Sequence, residues 1–121
     1  MNKDPLTEKV IGCAIEVHKT LGPGLLESAY HKALAHELHL QGIAFKMELS
    51  LPVVYKGVHL DCGYRLDLVI EGQPIIELKA VEELKGIHIA QLLTYMKVAD
   101  IKTGLLINFE QLVDGIKRMK L

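Results

Sequence analysis

The pattern of apolar positions predicts two helices at the start of the chain and a third one later. Apolar residues recur at helical spacing after Asp4, a residue type favoured as an N-cap, and Pro5 stands at the first helical position. The break at residues 22–24 should end this helix, and a second helix is predicted over about residues 25–41. The third helix is predicted over about residues 88–98.

The chain between the second and third helices is rich in Val, Leu, Tyr and Phe, which favours strands. Turn signals at 56–57 and 71–74 divide it into predicted strands at about 44–55, 58–70 (with a bend near Gly63) and 75–80. Another strand is predicted over 104–109, and the last dozen residues fit either a short helix or a strand. The order α-α-β-β-β-α-β predicts an α/β fold with one mixed central sheet flanked by helices.

Length and composition narrow the class of protein. The 121 residues correspond to a single domain over residues 1–121. Half of them are hydrophobic and 24% are charged, which excludes a disordered or low-complexity chain. The formal net charge is −1, so a nucleic-acid partner would need a local patch or bound cations.

Cysteine usage and the N-terminus predict a soluble cytoplasmic protein. Cys13 and Cys62 are far apart, and buried free thiols are expected rather than a disulfide framework. No signal peptide and no stretch long enough to span a membrane is recognised, so no membrane partner is expected. The apolar composition would also suit the buried interface of a homodimer.

The candidate chemistry lies on the two strands that flank the turn at 71–74. If Ile70 pairs with Pro74, Asp67 lies opposite Glu77, and strand alternation puts Lys79 on the same face as Glu77. Directly opposed residues have Cβ atoms about 5 Å apart, so two carboxylates there would repel each other. Mg²⁺ bound between them would offset this repulsion. The alternative is an exposed strand on which Lys79 forms an ordinary salt bridge.

Polar groups at helical spacing could extend this site. Glu27 and Tyr30 share a helix face, and Glu27 is a candidate third carboxylate or, equally well, a residue that stabilises the helix N-terminus. His88, Gln91 and Tyr95 fall on one face of the third helix, where an amphipathic rim is the alternative.

Other candidate residues receive less support from the sequence. The chain has no Trp, two Phe and four Tyr, too few aromatics to indicate a stacking platform for single strands. Three histidines have no ligand-like neighbours in the sequence. They are His18, His31 and His59.

Several short motifs follow one another in a fixed order along the chain. They are Gly24-x-x-Glu27-x-x-Tyr30, Arg65-Leu-Asp67, Glu77-Leu-Lys79, His88-x-x-Gln91-x-x-x-Tyr95 and Gly104-Leu-Leu-Ile-Asn108-Phe109. Together they resemble the GxxExxY protein family from about residue 11 to residue 118. That family is grouped with the PD-(D/E)xK nuclease-like superfamily.

The resemblance implies a restriction-endonuclease-like core and assigns roles to residues. It implies that Asp67 and Glu77 are ligands of Mg²⁺ or Mn²⁺, with Lys79 as the catalytic lysine. Glu27 would be an acidic residue of the first helices that joins the metal site. The remaining motif residues would contact substrate or support the ligands. They are Gln91, Tyr95, Tyr30, His88 and Arg65.

Two functional hypotheses follow from these residues. The first is a Mg²⁺-dependent nuclease that hydrolyses phosphodiester bonds in DNA or RNA. The second is a catalytically inactive module that kept the fold and binds nucleic acid or protein.

Overall fold

The computed structural model describes residues 4–71, 73–112 and 114–121. Three helices are present in these ranges: α1 (Pro5–Leu21), α2 (Glu27–Leu40) and α3 (Gly86–Ala99). The strands are β1 (Phe45–Ser50), β2 (Val53–Tyr55), β3 (Val58–Leu60), β4 (Arg65–Ile70), β5 (Ile75–Lys79), β6 (Thr103–Asn108) and β7 (Ile116–Lys120).

The central sheet has five strands in the order β1-β4-β5-β6-β7. Its neighbours are antiparallel except for β5 and β6, which run parallel because α3 connects them as a crossover. Strands β2 and β3 form a separate two-stranded sheet. The architecture confirms the predicted α/β class with a mixed sheet, and it is consistent with a restriction-endonuclease-like core.

Each face of the sheet is covered by helices. On one face, buried residues of α1 and α2 such as Val10 and Leu34 pack against Leu68 and Ile76 of the sheet. On the other face, α3 contributes Leu92 and Met96 to a second cluster. The catalytic candidates on β4 and β5 therefore lie in the middle layer of a three-layer arrangement.

The start of α1 follows the sequence prediction. The Asp4 carboxylate accepts hydrogen bonds from the Leu6 amide at 3.1 Å and the Thr7 hydroxyl at 3.0 Å. Pro5 occupies the first helical position, where its missing N–H is not needed. The prediction for α2 began too early, because the helix starts at Glu27 and Leu26 is its N-cap.

The two long predicted strands are each broken in the structure. The segment 44–55 divides into β1 and β2 around Pro52, which has no N–H to donate to a ladder. The segment 58–70 divides into β3 and β4 near Gly63, whose φ is +78°. The bend predicted at Gly63 is therefore a complete break. Lys56 and Gly57 make the two-residue turn of the β2–β3 hairpin, both with positive φ.

The C-terminal segment and the β4–β5 turn settle two points that the sequence left open. The last residues form a strand, since β7 pairs with β6 from Ile107↔Ile116 to Thr103↔Lys120. In the turn between β4 and β5, the Ile70 amide donates to the Pro74 carbonyl at 3.1 Å, as predicted. Gly72 of that turn lies outside the described residues.

Both cysteines are free. Cys13 is buried as expected, whereas Cys62 is exposed beside the break before β4, so the expectation of two buried thiols was wrong for Cys62. Among the described residues, no helix combines the length and the apolar character that crossing a bilayer requires.

Candidate active site

The two candidate carboxylates meet where β4 and β5 separate. The register Val69↔Ile75 and Leu68↔Ile76 brings Asp67 opposite Glu77 at the next step. There the ladder of backbone hydrogen bonds is replaced by side chains. The Asp67 amide donates to Oε1 of Glu77 at 3.2 Å, and the Leu78 amide donates to Oδ2 of Asp67 at 2.8 Å. Each carboxylate is thus held by the backbone of the other strand.

A change of face along β4 explains this position. Leu68 packs into the cluster under α1 and α2, whereas Leu66 packs into the cluster under α3. In a regular strand, residues two apart face the same side of the sheet, so the alternation of faces is broken at Asp67. The Asp67 carboxylate reaches across to β5, where it accepts from the Leu78 amide.

Burial and charge act strongly on Glu77. Glu77 is buried, with only 6% of its surface exposed. Desolvation, followed by the charge of Asp67, raises the Glu77 pKa from 4.5 to about 8. The positive charge of Lys79 opposes this and lowers the pKa. Two carboxyl groups in this surrounding favour a proton or a cation between them.

Lys79 is two residues beyond Glu77 on β5 and is partly exposed. Its backbone carbonyl accepts a hydrogen bond from the Phe109 amide at 2.8 Å, which fixes the end of the strand against β6. The ammonium group is close enough to Glu77 to affect its pKa. Lys79 therefore supplies positive charge at the same edge of the sheet as the two carboxylates.

His31, a histidine without ligand-like neighbours in the sequence, also reaches this edge. Nε2 of His31, on α2, lies 3.6 Å from Oδ2 of Asp67. The side chains are 14% and 21% exposed, respectively. The available signal was spacing, since His31 follows Glu27 by four residues and falls on the same helix face. Only the packing of α2 on the sheet connects His31 with β4.

Glu27 and Tyr30 take different positions. Glu27 is exposed at the first position of α2, one helical turn from His31, and the structure does not bring it into contact with Asp67 or Glu77. Tyr30 is fully buried. Its hydroxyl donates to the Gly22 carbonyl at 2.6 Å and accepts from the Leu25 amide at 3.2 Å. Tyr30 closes the loop before α2, and its ring stacks on Phe109 at 4.7 Å.

The third helix brings Tyr95 toward the carboxylates. Burial raises the pKa of Tyr95, and the charges of Glu77, Tyr64 and Asp67 add to the effect. The Tyr95 ring contacts the ring of Tyr64 with centroids 5.9 Å apart. Gln91 is exposed one turn earlier and lines a groove of about 320 Å³ together with both tyrosines.

His88 and Arg65 form local contacts. Nδ1 of His88 accepts from the Lys85 amide at 2.9 Å, so the imidazole caps the N-terminus of α3. Arg65 is 47% exposed and lies 3.9 Å from Asp61, and its guanidinium donates to the Tyr64 carbonyl at 2.9 Å.

Asn108 is a further residue whose role the sequence did not indicate. It is 2% exposed at the end of β6. Its Oδ1 accepts from the Val81 amide at 3.1 Å, and its Nδ2 donates to the Val81 carbonyl at 2.9 Å. This pair of bonds acts like a short strand contact and fixes the chain directly after Lys79. The polar residue at the end of an apolar strand was the available signal.

The donor set fits Mg²⁺ or Mn²⁺ chemically. Within residues 4–71, 73–112 and 114–121, no group of three or more His, Cys, Asp or Glu side chains is arranged to hold a metal ion. Mg²⁺, however, is commonly bound by one or two carboxylates with water and substrate oxygens completing its shell. Asp67 and Glu77 match that number and chemistry, since their two carboxylates lie together between β4 and β5.

A comparison with known protein families identifies the superfamily of the chain. The model of the PD-(D/E)XK nuclease superfamily matches residues 4–119, which cover all three helices and every strand except the last residue of β7. No curated protein matches the chain, and no solved structure matches it. On the extent of the family match, the chain belongs to the PD-(D/E)XK nuclease superfamily.

Proposed function

We propose that this protein is a metal-dependent nuclease that hydrolyses phosphodiester bonds at the junction of β4 and β5. The observation that carries the proposal is the reciprocal contact between Asp67 and Glu77, with Lys79 beside them. Membership of the nuclease superfamily supports nucleic acid as the substrate.

Asp67 and Glu77 would hold Mg²⁺ or Mn²⁺ through their carboxylate oxygens. When bound, the cation supplies Lewis-acid polarisation of a phosphoryl oxygen and neutralises charge that develops there. Lys79 orients the attacking water and stabilises negative charge on the phosphate. His31, whose Nε2 lies 3.6 Å from Oδ2 of Asp67, would help to position that carboxylate from α2. These roles require no further metal ligand from Glu27.

The remaining motif residues support this centre in different ways. Tyr30 fixes the loop before α2, and through that helix the position of His31. His88 caps α3, which carries Gln91 and Tyr95 toward the substrate side.

The finer family assignment is part of this proposal. The order of the sequence motifs supports placement in the GxxExxY family. A cytoplasmic location and a homodimer stay predictions of composition alone.

Cleavage assays test the proposal directly. Labelled single- and double-stranded DNA and RNA are incubated with the protein in Mg²⁺, Mn²⁺ or EDTA. We expect cleavage that requires the metal and falls at least about 100-fold in Asp67→Asn and in Lys79→Met. Both replacements preserve side-chain size, and Asn can still accept from the Leu78 amide.

Two control variants distinguish the loss of any surface charge from the loss of a catalytic group. Lys97→Met removes an exposed lysine on α3, and Glu83→Gln removes an exposed acid from the loop after β5. Both should cleave like the wild type. Activity that survives in Asp67→Asn and Lys79→Met would reject the assigned site. A folded wild type that binds nucleic acid but cleaves none of the four substrates would instead identify an inactive binding module.

A further inference from the structure

A groove of about 320 Å³ runs between α3 and the segment that leads into β4. Ile87 and Val98 line it on the helix side, and they are 61% and 43% exposed. Gln91 and Thr94 add an amide and a hydroxyl between these apolar side chains. Apolar walls with a few polar groups are typical of a site for a small flat ligand.

Two of the four tyrosines in the chain meet at this groove. The rings of Tyr64 and Tyr95 are in tilted contact at 55°, with centroids 5.9 Å apart. Tyr95 is partly buried and supports Tyr64, which is 45% exposed. The overall scarcity of aromatics argued against a stacking platform, but the fold concentrates these two at one place.

The groove lies beside the strand that carries Asp67. Tyr64 lines the groove and directly precedes β4, and burial, followed by the charges of Glu77, Tyr64 and Asp67, raises the pKa of Tyr95 on the helix side. Arg65 follows Tyr64 along the chain, and its guanidinium is 47% exposed. A nucleotide with its phosphate near the carboxylates would therefore find an aromatic surface and a cation within the same region.

We propose that this groove is a subsite for one unpaired nucleobase, stacked on Tyr64, of the strand that is cleaved. The inference deepens the proposed function and rests on it, because it names single-stranded or frayed nucleic acid as the substrate class. Aromatic side chains stack on any base, so the subsite recognises the absence of pairing rather than a sequence. A base inside a duplex has both faces covered by its neighbours and cannot make this contact.

The test measures binding in EDTA, where no cleavage occurs. The probes are a fluorescein-labelled oligothymidylate of eight nucleotides and the same backbone carrying abasic residues. We expect the wild type to bind the base-bearing strand about tenfold more tightly than the abasic strand. Tyr64→Phe should preserve that ratio, whereas Tyr64→Ala should bring it close to one.

Tyr55→Ala is the matched control. Tyr55 is a tyrosine of the β2–β3 hairpin that is 60% exposed, more than Tyr64, and it does not line the groove. The ratio should be unchanged in this variant. Equal binding of the two probes by the wild type, or equal losses in Tyr64→Ala and Tyr55→Ala, would overturn the subsite. Failure of the wild type to bind either probe would overturn it as well.

Cleavage of the base-bearing strand in Mn²⁺, measured in parallel, keeps the two proposals distinct. Cleavage without base-dependent binding rejects the subsite and leaves the nuclease function standing. Base-dependent binding that Tyr64→Ala abolishes, without cleavage in Mg²⁺ or Mn²⁺, supports the subsite and rejects the nuclease function.

Discussion

At the scale of single residues, Glu77 occupies a position that opposes folding of the metal-free chain. Its carboxyl group is buried beside Asp67, and its pKa rises to about 8. An acid with a raised pKa keeps its proton in the folded state and releases it in the unfolded state. The free energy of unfolding therefore falls as pH rises from about 4.5 to about 8.

Glu77→Gln should remove this dependence. Glutamine stays neutral and can still accept from the Asp67 amide through its side-chain oxygen. Since each pKa unit corresponds to about 1.4 kcal/mol, we expect the variant to be more stable than the wild type by roughly 2–4 kcal/mol at pH 8. Urea unfolding in EDTA at pH 5, 6.5 and 8 measures the difference. A variant less stable than the wild type at pH 8 would contradict the assigned surroundings of Glu77.

The sequence was sufficient to locate Asp67 and Glu77 because a hairpin determines which residues face each other. One turn with Ile70 paired to Pro74 fixed the register of both strands. His31 was missed because its contact with Asp67 depends on how α2 packs over the sheet. That packing involves residues far apart in the chain and leaves no local pattern.

At the scale of elements, two glycines show how differently the fold uses the same residue. An added Cβ at Gly115 would lie 2.0 Å from the Gln111 carbonyl oxygen and 2.9 Å from that of Asn108. These are backbone atoms at the turn that leads into β7, and they cannot move aside. At Gly12, in α1, a Cβ meets no atom within 4 Å.

The same substitution should therefore have opposite effects at the two sites. Gly115→Ala should lower the free energy of unfolding by about 3 kcal/mol or more, because the turn beside Asn108 must distort. Gly12→Ala should raise it by about 0.5–1 kcal/mol, since alanine favours the helix. Thermal unfolding of both variants checks this pair. Equal stability of Gly115→Ala and the wild type would mean that the turn is not built as described.

The elements themselves were largely predictable, but their ends were not. Periodicity predicted the three helices and the strands on either side of the 71–74 turn. The β2–β3 hairpin was missed as a separate sheet because Leu, Val and Tyr, which favour strands, stand on both sides of Pro52. The missing N–H of Pro52 and the positive φ of Gly63 outweighed that propensity.

At the scale of the whole molecule, composition gives a poor account of the site. A net charge of −1 gives no sign of nucleic-acid binding, and four tyrosines give no sign of stacking. The fold changes both conclusions because it brings charged and aromatic side chains together at one place. Lys79 and Arg65 lie on the strands that carry the carboxylates, and two tyrosines share one groove. Averages over the chain cannot contain this information.

Metal binding links the site to the stability of the whole chain. A cation that binds the folded protein alone stabilises it, by about 2.7 kcal/mol at 100 times the dissociation constant. Relief of the repulsion between Asp67 and Glu77 would add to the affinity. The stabilisation of the chain by Mg²⁺ or Mn²⁺ should therefore depend on the same two carboxylates that are assigned to catalysis.

Isothermal titration of the folded protein with Mn²⁺, alongside thermal unfolding in the same buffer, tests the central claim most directly. The account predicts that Mn²⁺ binds and stabilises the wild type and the control Glu83→Gln, and that both effects disappear in Asp67→Asn and Glu77→Gln. Binding that persists unchanged in these two variants, or that is absent from the wild type, would contradict a cation held between β4 and β5.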